Sequence, residues 1–350
     1  MPEVPRHLNH HERANQLPLV SERATVTCIE AMDRGRNDEV LGAIRERLTD
    51  ADQPGALRAV KRRSADYDWE RLFERLREAS VASHRIEEIQ TLADRYERPY
   101  PSLIRLEVDP DEDVEFAPGQ YVTLRASDTP RPYSVANSPT EDTLEFAIRR
   151  VPGGRLTGGL YDEVEEGDEV VVRGPNGHMV LDDPTERDVL FLATGTGVAP
   201  FKSMIDYCFA EGWDEYGGAT RDVWLFLGCG WRDDLPYHDY FRTLADRNAN
   251  FHYVPTLSRE RLLTEWEGET DYVQRILVKY LENEAVERAA LPDRLAPFTD
   301  ADPRTAIDAR LDPTNLSLYA CGITAMVSTL VRAARAVGIA DVDMQYEGFG

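Results

Sequence analysis

A glycine-rich turn, ATGTGVAPF at residues 193–201, directly follows an apolar run with the sequence DVLFLAT. Backbone N–H groups at the start of a helix carry partial positive charge, and glycines let a ligand approach them closely. Gly195, Thr196 and Gly197 are therefore candidate ligands of a nucleotide diphosphate. The turn lacks the GxGxxG pattern of ordinary dehydrogenases, and a tight turn that binds nothing would have the same sequence.

A second candidate is the tetrapeptide Arg131-Pro132-Tyr133-Ser134 in a predicted strand. A flavin needs a cation for its phosphates, a flat side chain against its ring, and a hydrogen bond near the nitrogen that accepts hydride. Arg131, Tyr133 and Ser134 offer these three groups. Alternation along a strand places Arg131 and Tyr133 on one face and Ser134 on the other. The alternative is a strand with a surface arginine and a half-buried tyrosine.

The third candidate is RRVPGGRLT, residues 149–157, which begins with Arg149 and contains Gly154 and Thr157. We expect Thr157 to cap a short helix at 158–164, whose N–H groups are free to bind a pyrophosphate. The alternative is a capped helix without a ligand.

The elements that must position these residues change character along the chain. Between residues 102 and 173 the apolar period is close to two and turns are frequent, which indicates an antiparallel barrel or sandwich. After Pro184, continuous apolar runs alternate with helical segments, which indicates a parallel sheet. We therefore predict an antiparallel β-barrel followed by a doubly wound α/β domain.

The domain boundaries follow from the same changes. We expect a mobile tail at 1–21, a barrel domain at 22–183, a helical insertion within it at about 37–98, an α/β domain at 184–350, and an acidic insertion at about 281–315. The first insertion is predicted to pack beside the barrel, where it would meet a partner or another subunit. The alternative is a separate helical domain.

Composition excludes several classes of function. The chain has 40 basic and 64 acidic residues and a formal net charge of −24, which disfavours nucleic acid and anionic membranes as partners. Only three basic residues are lysines, and an acidic, lysine-poor surface resembles proteins of salt-loving microbes. The four cysteines form no CxxC pair, so no metal site is expected. With no predicted membrane span or secretory signal, we expect a cytoplasmic protein.

The order of these segments resembles the ferredoxin–NADP(+) reductase family of FAD-containing flavoprotein reductases. In that family an RxYS strand holds the flavin, a basic strand with a glycine and Ser/Thr helix start holds the FAD pyrophosphate, and a GTGxAP turn holds the NADP pyrophosphate. Further similarities are the PGQ turn at 118–120, Gly167-Asp168, GPNG at 174–177 and Cys321-Gly322. The resemblance runs from about residue 102 to residue 350.

The resemblance also implies roles for single residues. Ser134 would bond near flavin N5, and Tyr133 would pack against the isoalloxazine. Cys321, before Gly322, would lie beside the nicotinamide C4, although a free cysteine is more often a buried small hydrophobe. Glu347 would assist nicotinamide binding and proton movement.

Phe349 would cover the other flavin face until nicotinamide displaces it. Here the sequence departs from the plastid-type enzymes, in which a tyrosine is the last residue, because Gly350 follows.

The choice of coenzyme depends on a further set of residues. NADPH carries a 2′-phosphate, which is bound by a guanidinium fork and hydroxyls. Ser258 and Arg259 end one predicted strand, Tyr272 and Gln274 follow, and plastid-type enzymes have a similar Ser-Arg and Tyr-x-Gln pair. We therefore expect NADP(H). A surface arginine and a helical tyrosine are the alternative.

The implied function is FAD-dependent electron transfer between NADP(H) and a separate one-electron carrier, most simply a ferredoxin, by hydride transfer to flavin N5. Two alternatives in the same class are the reductase component of an oxygenase and an NAD(P)H–flavin reductase. A non-catalytic flavoprotein sensor is the alternative from a different class. The acidic surface of this chain is expected to repel an acidic ferredoxin, although concentrated salt screens such repulsion.

Overall fold

Two β-sheets frame the structure, which is a computed structural model. It describes residues 9–62, 66–126, 130–151, 155–282 and 291–349, with the backbone alone at 155–158. Within these ranges no helix is both long and apolar enough to cross a lipid bilayer.

The first sheet is antiparallel and nearly closed. Its strands are β1 (Val20–Ala31), β2 (Leu103–Pro110), β3 (Tyr121–Arg125), β4 (Arg131–Ser134), β5 (Leu144–Arg149) and β6 (Glu169–Asn176). They lie in the order β4-β3-β6-β1-β2-β5. Beyond β4, the N–H of Ala136 donates to the carbonyl of Glu145 at 2.8 Å and joins the two edges. The predicted barrel is confirmed, and alternate apolar side chains fill it.

The second sheet is parallel. It consists of β7 (Asp188–Thr194), β10 (Val223–Cys229), β11 (Phe251–Leu257), β12 (Leu316–Ile323) and β13 (Met344–Phe349), while β8 (Glu215–Tyr216) and β9 (Ala219–Thr220) form a separate hairpin. The order is β11-β10-β7-β12-β13. The strand order reverses between β7 and β12, and ligands of such sheets bind at the carboxyl ends of the strands at this switch point. The prediction of a doubly wound sheet is confirmed.

The helices are α1 (His10–Ala14), α2 (Asn37–Asp50), α3 (Ala56–Ala59), α4 (Trp69–Glu78), α5 (Ser83–Tyr96), α6 (Arg155–Asp162), α7 (Ala199–Ala210), α8 (His238–Arg247), α9 (Val273–Leu277) and α10 (Thr324–Ala336). Single 3-10 turns occur at Gly195–Val198, Arg232–Asp234, Glu260–Leu262, Val278–Tyr280, Ala296–Phe298, Pro313–Asn315 and Asp341–Asp343. The parallel sheet packs α7 and α8 against one face and α9 and α10 against the other.

Helices α2–α5 connect β1 to β2 and have an apolar core of their own. That core includes Trp231, which is fully buried, and Leu262 and Leu263 pack against it. No residue of the barrel strands belongs to this core in the described part of the chain. The expectation that the helices pack beside the barrel is therefore wrong, because the apolar face that completes their core belongs to the second domain.

Part of the predicted mobile tail is packed against the protein. Residues 1–8 lie outside the described residues, but α1 begins after Asn9, whose side chain forms a capping box with Glu12. His10 is buried, and one of its ring nitrogens lies 2.9 Å from the Leu181 carbonyl oxygen. The prediction of a mobile tail is wrong for residues 9–21, because the cap and this buried contact hold them in place.

Between residues 281 and 315 the chain was expected to form a solvated acidic insertion. Leu281 and Leu311 form an isolated β-bridge, and both are buried with Leu295 in the core under β12. Residues 283–290 of the segment lie outside the described residues. The apolar side chains of this segment thus contribute to the second domain's core.

Candidate functional site

A cleft of about 720 Å³ lies between the two sheets. Eight of the predicted site residues line it: Tyr133, Arg149, Gly195, Thr196, Ser258, Arg259, Tyr272 and Phe349. They come from β4 and β5 of the barrel and from the carboxyl ends of the parallel strands. Motifs far apart in sequence therefore meet in one cavity, as a site for two cofactors requires.

The glycine-rich turn occupies the switch point of the parallel sheet. Gly195 has a positive φ of 54°, and Gly195–Val198 form a 3-10 turn that leads directly into α7. A Cβ atom on Gly197 would lie 2.5 Å from the carbonyl oxygen of Cys321. Gly322 has a φ of 154°, and a Cβ there would overlap the Thr194 hydroxyl. Glycine is needed at 197 because the turn after β7 lies against the backbone of Cys321 and Gly322, and at 322 because the Thr194 side chain occupies the adjacent space.

Strand β4 brings one residue of the Arg131–Ser134 tetrapeptide to the cleft. Tyr133 lines the cleft, and burial raises the pKa of its phenol to about 12. Ser134 is half-buried opposite Tyr121 on β3 and lies outside the cleft lining. Arg131 and Pro132 are exposed, and the Arg131 guanidinium donates to the Pro130 carbonyl at 2.9 Å. No acidic partner of Arg131 occurs within the described ranges.

Arg149 reaches the cleft but already has a partner. Its guanidinium contacts the carboxylate of Asp234 at 3.1 Å, and Arg98 binds the same carboxylate. Asp234 and Arg98 both line the cleft. Neither residue was singled out from the sequence, because Arg98 lies in the helical insertion and Asp234 lies in a loop without a motif. A phosphate that binds Arg149 must share it with Asp234 or replace that carboxylate.

The third motif differs from its prediction. Helix α6 begins at Arg155, so Thr157 lies inside its first turn and is not the capping residue. The prediction of a helix at 158–164 capped by Thr157 is therefore wrong, because the helix starts three residues earlier. Gly154 lies outside the described residues.

Cys321 and Glu347 are register partners on the neighbouring strands β12 and β13. Cys321 is 2% exposed and packs in the core beneath α7, outside the cleft lining. Burial raises the pKa of its thiol to about 12. Burial also raises the pKa of Glu347, while hydrogen bonds from the backbone N–H groups of Met179 and His178 act in the opposite direction. Cys321 thus has the surroundings of a buried hydrophobe behind the turn.

The residues predicted to bind the coenzyme lie near the carboxyl ends of β10 and β11. Ser258 and Arg259 are held by backbone hydrogen bonds to the carbonyls of Cys229 and Gly230, both at 3.0 Å. Tyr272 is 49% exposed and lines the cleft at the start of α9. Its ring offers a flat surface for a base.

Two buried polar atoms near the cleft have no partner among the described residues. They are the Oε1 atom of Gln274 and the Oγ1 atom of Thr194. Buried acceptors and hydroxyls of this kind are rare unless a ligand or water satisfies them. Thr194, which lines the cleft, carries no sequence signal beyond its place before the turn.

Phe349 lines the cleft and is 43% exposed at the end of β13. Ile323 and Met326 extend this apolar wall. A half-exposed aromatic ring at the mouth of a cavity can cover a flat ligand. Among the described residues no cluster of His, Cys, Asp or Glu has the arrangement of a metal site.

The cleft fits the two groups that its motifs imply. Tyr133 and Phe349 supply aromatic surfaces, arginines supply positive charge, and Gly195 and Thr196 bring the glycine turn to the cavity wall. The unpartnered atoms of Gln274 and Thr194 add unused hydrogen-bonding capacity. Each group matches a part of a flavin or of a nicotinamide dinucleotide.

Comparison with known families identifies both halves. Residues 101–181 match the oxidoreductase FAD-binding domain, and residues 191–332 match the oxidoreductase NAD-binding domain. The two matched segments contain β2–β6 and the parallel sheet up to α10.

Several curated proteins are similar to this chain. It is 31% identical over 214 residues to the phenol 2-monooxygenase reductase component DmpP of Pseudomonas sp. (strain CF600), which covers 60% of this chain and 59% of that protein. It is 36% identical over 140 residues to the naphthalene 1,2-dioxygenase system ferredoxin–NAD(P)(+) reductase component of Pseudomonas putida, covering 40% of this chain and 41% of that protein. The chain thus spans about half the length of the curated relatives it matches.

Solved structures share the fold. The Amycolatopsis cytochrome P450 reductase GcoB has a TM-score of 0.62 at 21% identity, covering 95% of this chain and 71% of that one. A ferredoxin–NADP(+) reductase from Neisseria gonorrhoeae with bound FAD and NADP has a TM-score of 0.54 at 20% identity, and the match covers 71% of this chain and 93% of that one.

Proposed function

The chain belongs to the ferredoxin–NADP(+) reductase type of flavoprotein reductase, and we propose on this basis that it passes electrons between NADP(H) and a one-electron carrier protein through bound FAD. The observation that carries the proposal is the shared cleft, which Tyr133 and Arg149 enter from the barrel and Gly195 and Arg259 from the parallel sheet. Only a site between the sheets lets a flavin and a nicotinamide meet.

In this proposal the barrel residues hold the flavin. Tyr133 packs against one ring face, the Ser134 hydroxyl donates a hydrogen bond near the ring, and Arg131 and Arg149 bind the phosphates. Phe349 covers the opposite face. When bound, FAD supplies a hydride acceptor at N5 and a means of releasing electrons one at a time.

The residues of the parallel sheet hold the coenzyme. The N–H groups of Gly195, Thr196 and Gly197 bind its diphosphate at the start of α7, where the helix dipole favours negative charge. Ser258 and Arg259 bind the 2′-phosphate. Tyr272 stacks on the adenine, and Gln274 gains a partner for its buried Oε1 atom.

The remaining residues shape the nicotinamide side of the cleft. Cys321 and Gly322 support the turn from behind, and Gly197 lies against their backbone. Glu347, whose pKa burial raises, is suited to hold a proton near the ring. Phe349 must move away before nicotinamide can stack.

Two carriers are candidates for the partner. A ferredoxin is the simplest one-electron carrier for a reductase of this type. An oxygenase component is the second, and it is favoured because the printed names of several relatives are those of reductase or electron-transfer components of oxygenases. The four cysteines of this sequence lack the close spacing of an iron–sulfur site, and the proposal assigns the one-electron centre to a separate carrier protein.

The basic activity is tested by stopped-flow absorbance of the FAD-loaded protein. We expect the flavin band to bleach when NADPH is added without oxygen, and cytochrome c reduction to accelerate when ferredoxin from the same organism is added. Stimulation by an oxygenase component and not by ferredoxin would select the second carrier. A flavin that keeps its colour with both NADPH and NADH would refute the proposal and favour a non-catalytic flavoprotein.

The coenzyme assignment is tested by Arg259→Ala. Removal of the guanidinium fork is expected to raise KM for NADPH about tenfold or more and to leave KM for NADH within about twofold. Arg261→Ala, two residues further on the exposed side of the same turn, is the matched control. An unchanged preference for NADPH over NADH would contradict the role of Arg259.

A further inference from the structure

The helical insertion packs against the turns near the residues proposed to bind the coenzyme, Ser258 and Arg259. Trp231 follows Gly230, a residue of the cleft wall, and is fully buried in the insertion's core. Leu262 and Leu263 follow Arg259 closely and pack against the same core. The insertion therefore contacts the turn after β10 and the turn after β11, which are the two turns nearest the proposed 2′-phosphate site.

A buried ion pair joins the insertion to the second of these turns. Arg36, the residue before α2, donates two hydrogen bonds to the Glu260 carboxylate, at 3.0 and 2.9 Å. The side chains of Arg36 and Glu260 are 1% and 0% exposed. Arg36 also contacts Asp233 at 3.1 Å, and Arg95 contacts the other oxygen of Asp233 at 2.5 Å.

The Glu260 carboxylate also ties the two turns to each other. It accepts hydrogen bonds from the Arg232 backbone N–H at 2.7 Å and from the Thr264 hydroxyl at 2.9 Å. With the two bonds from Arg36, both of its oxygens are fully used. A fully buried carboxylate that accepts four hydrogen bonds has one favoured orientation, because any rotation would leave charged groups unpaired.

Arg259 immediately precedes Glu260, but the side chains of the two residues extend in different directions. Glu260 is buried toward the insertion, whereas Arg259 lines the cleft. The Arg259 N–H donates to the Gly230 carbonyl at 3.0 Å, and its side chain passes near Gly230 and Asp234. Because the two residues are adjacent, holding the Glu260 side chain also restrains the backbone from which the Arg259 side chain extends.

Isolated buried ion pairs contribute little net stability, and the best-attested reason to keep one is to specify a single geometry. The bidentate fork of Arg36 suits this task, because a lysine in its place would bind as a point charge without fixing an angle. Arg98, at the end of the insertion, lines the cleft itself through its pair with Asp234. The Arg36 contact acts on the turn that carries Arg259.

We propose that Arg36 is a positioning residue for coenzyme selectivity, which acts through Glu260 to hold Arg259 toward the 2′-phosphate of NADP(H). The helical insertion is then a part of the coenzyme site and not a docking element for a partner protein. This inference rests on the proposed role of Arg259 as the 2′-phosphate ligand.

The test measures ligand binding by isothermal titration calorimetry on the FAD-loaded protein. The probes are adenosine 2′,5′-bisphosphate and 5′-AMP, which differ only in the 2′-phosphate. The variants are Arg36→Lys, Arg259→Ala and their combination. Arg47→Lys is the matched control, because Arg47 pairs with Glu88 at 3.0 Å inside the insertion.

Arg36→Lys is expected to weaken the bisphosphate about tenfold and 5′-AMP less than about twofold, with FAD content unchanged. The double variant should bind the bisphosphate no more weakly than Arg259→Ala alone, since a residue that acts through another loses its effect when that residue is removed. Arg47→Lys should match the unmodified protein.

Three results would overturn the inference: equal weakening of both probes, additive losses in the double variant, or no change in Arg36→Lys. If Arg259→Ala itself leaves bisphosphate binding unchanged, the coenzyme assignment fails instead, and the two failures are thus distinguished. Should Arg36→Lys not fold, Glu260→Gln keeps the shape of this side chain and removes the charge that holds the Arg36 fork. It must then weaken the bisphosphate selectively, and unchanged or unselective binding would refute the inference.

Discussion

Cys321 illustrates how the surroundings of a single residue decide its chemistry. Its thiol lies behind the glycine turn at 2% exposure, and burial raises its pKa to about 12. The thiolate is the reactive form, so burial keeps the Cys321 thiol in its unreactive, protonated form at pH 9. In the native state Cys321 should therefore act through its shape.

We predict that iodoacetamide alkylates Cys321 more slowly than Cys28 between pH 7 and about pH 9, because Cys28 is only partly buried. Mass spectrometry of tryptic peptides after timed exposure measures this difference. Alkylation in urea, which exposes both thiols, is the control. Faster native modification of Cys321 than of Cys28 would contradict its burial in the core.

Residue types with a motif could be predicted from the sequence, whereas their partners could not. Tyr133, Gly195 and Arg259 line the cleft because short motifs fix the local backbone that carries them. The pairing of Arg149 with Asp234 depends on a contact between two sheets, and nothing in local sequence encodes such a contact. The same reason explains why Thr194 and Arg98 were not recognised.

At the scale of elements, periodicity predicted the kind of each element but not its neighbours. The apolar stripes of α2, α4 and α5 indicated that these helices pack against something, but such a pattern does not identify the surface against which a helix packs. The structure assigns that surface to Trp231, which lies far along the chain, immediately before the 3-10 turn at Arg232–Asp234. The start of α6 was missed for a local reason, because no capping side chain marks it in the sequence.

Trp231→Ala is predicted to lower the free energy of unfolding by about 3–5 kcal/mol, since it removes a large, fully buried side chain from the insertion's core. Urea unfolding followed by circular dichroism measures the change. Tyr216→Ala, at a residue that is 47% exposed on the β8–β9 hairpin, should alter it by less than about 0.5 kcal/mol. Equal effects of the two substitutions would show that the insertion does not depend on Trp231.

At the scale of the whole molecule, the net charge of −24 dominates the electrostatics. Like charges repel in the compact state, and salt reduces this repulsion by shortening the Debye length from about 10 Å at 0.1 M to about 3 Å at 1 M. The buried Arg36–Glu260 pair is shielded from this change by its burial. An origin in a salt-loving organism remains a prediction.

We predict that the melting temperature rises between about 0.1 M and 1 M sodium chloride as carboxylate repulsion is screened. Differential scanning calorimetry measures the shift. A sucrose series of equal osmolality is the control, because sucrose stabilises by exclusion from the surface without screening charge. A melting temperature that is constant or falls with salt would mean that surface repulsion does not limit stability.

The segment between β1 and β2 belongs to the barrel by chain order, but it is fastened to the other half of the molecule through Trp231 and Arg36. A hinge motion that swung the halves apart would expose an indole and strip a guanidinium of its counter-ion at the same time. We therefore expect the protein to behave as one rigid body, in which a dinucleotide enters by pushing aside the ring of Phe349 at the rim.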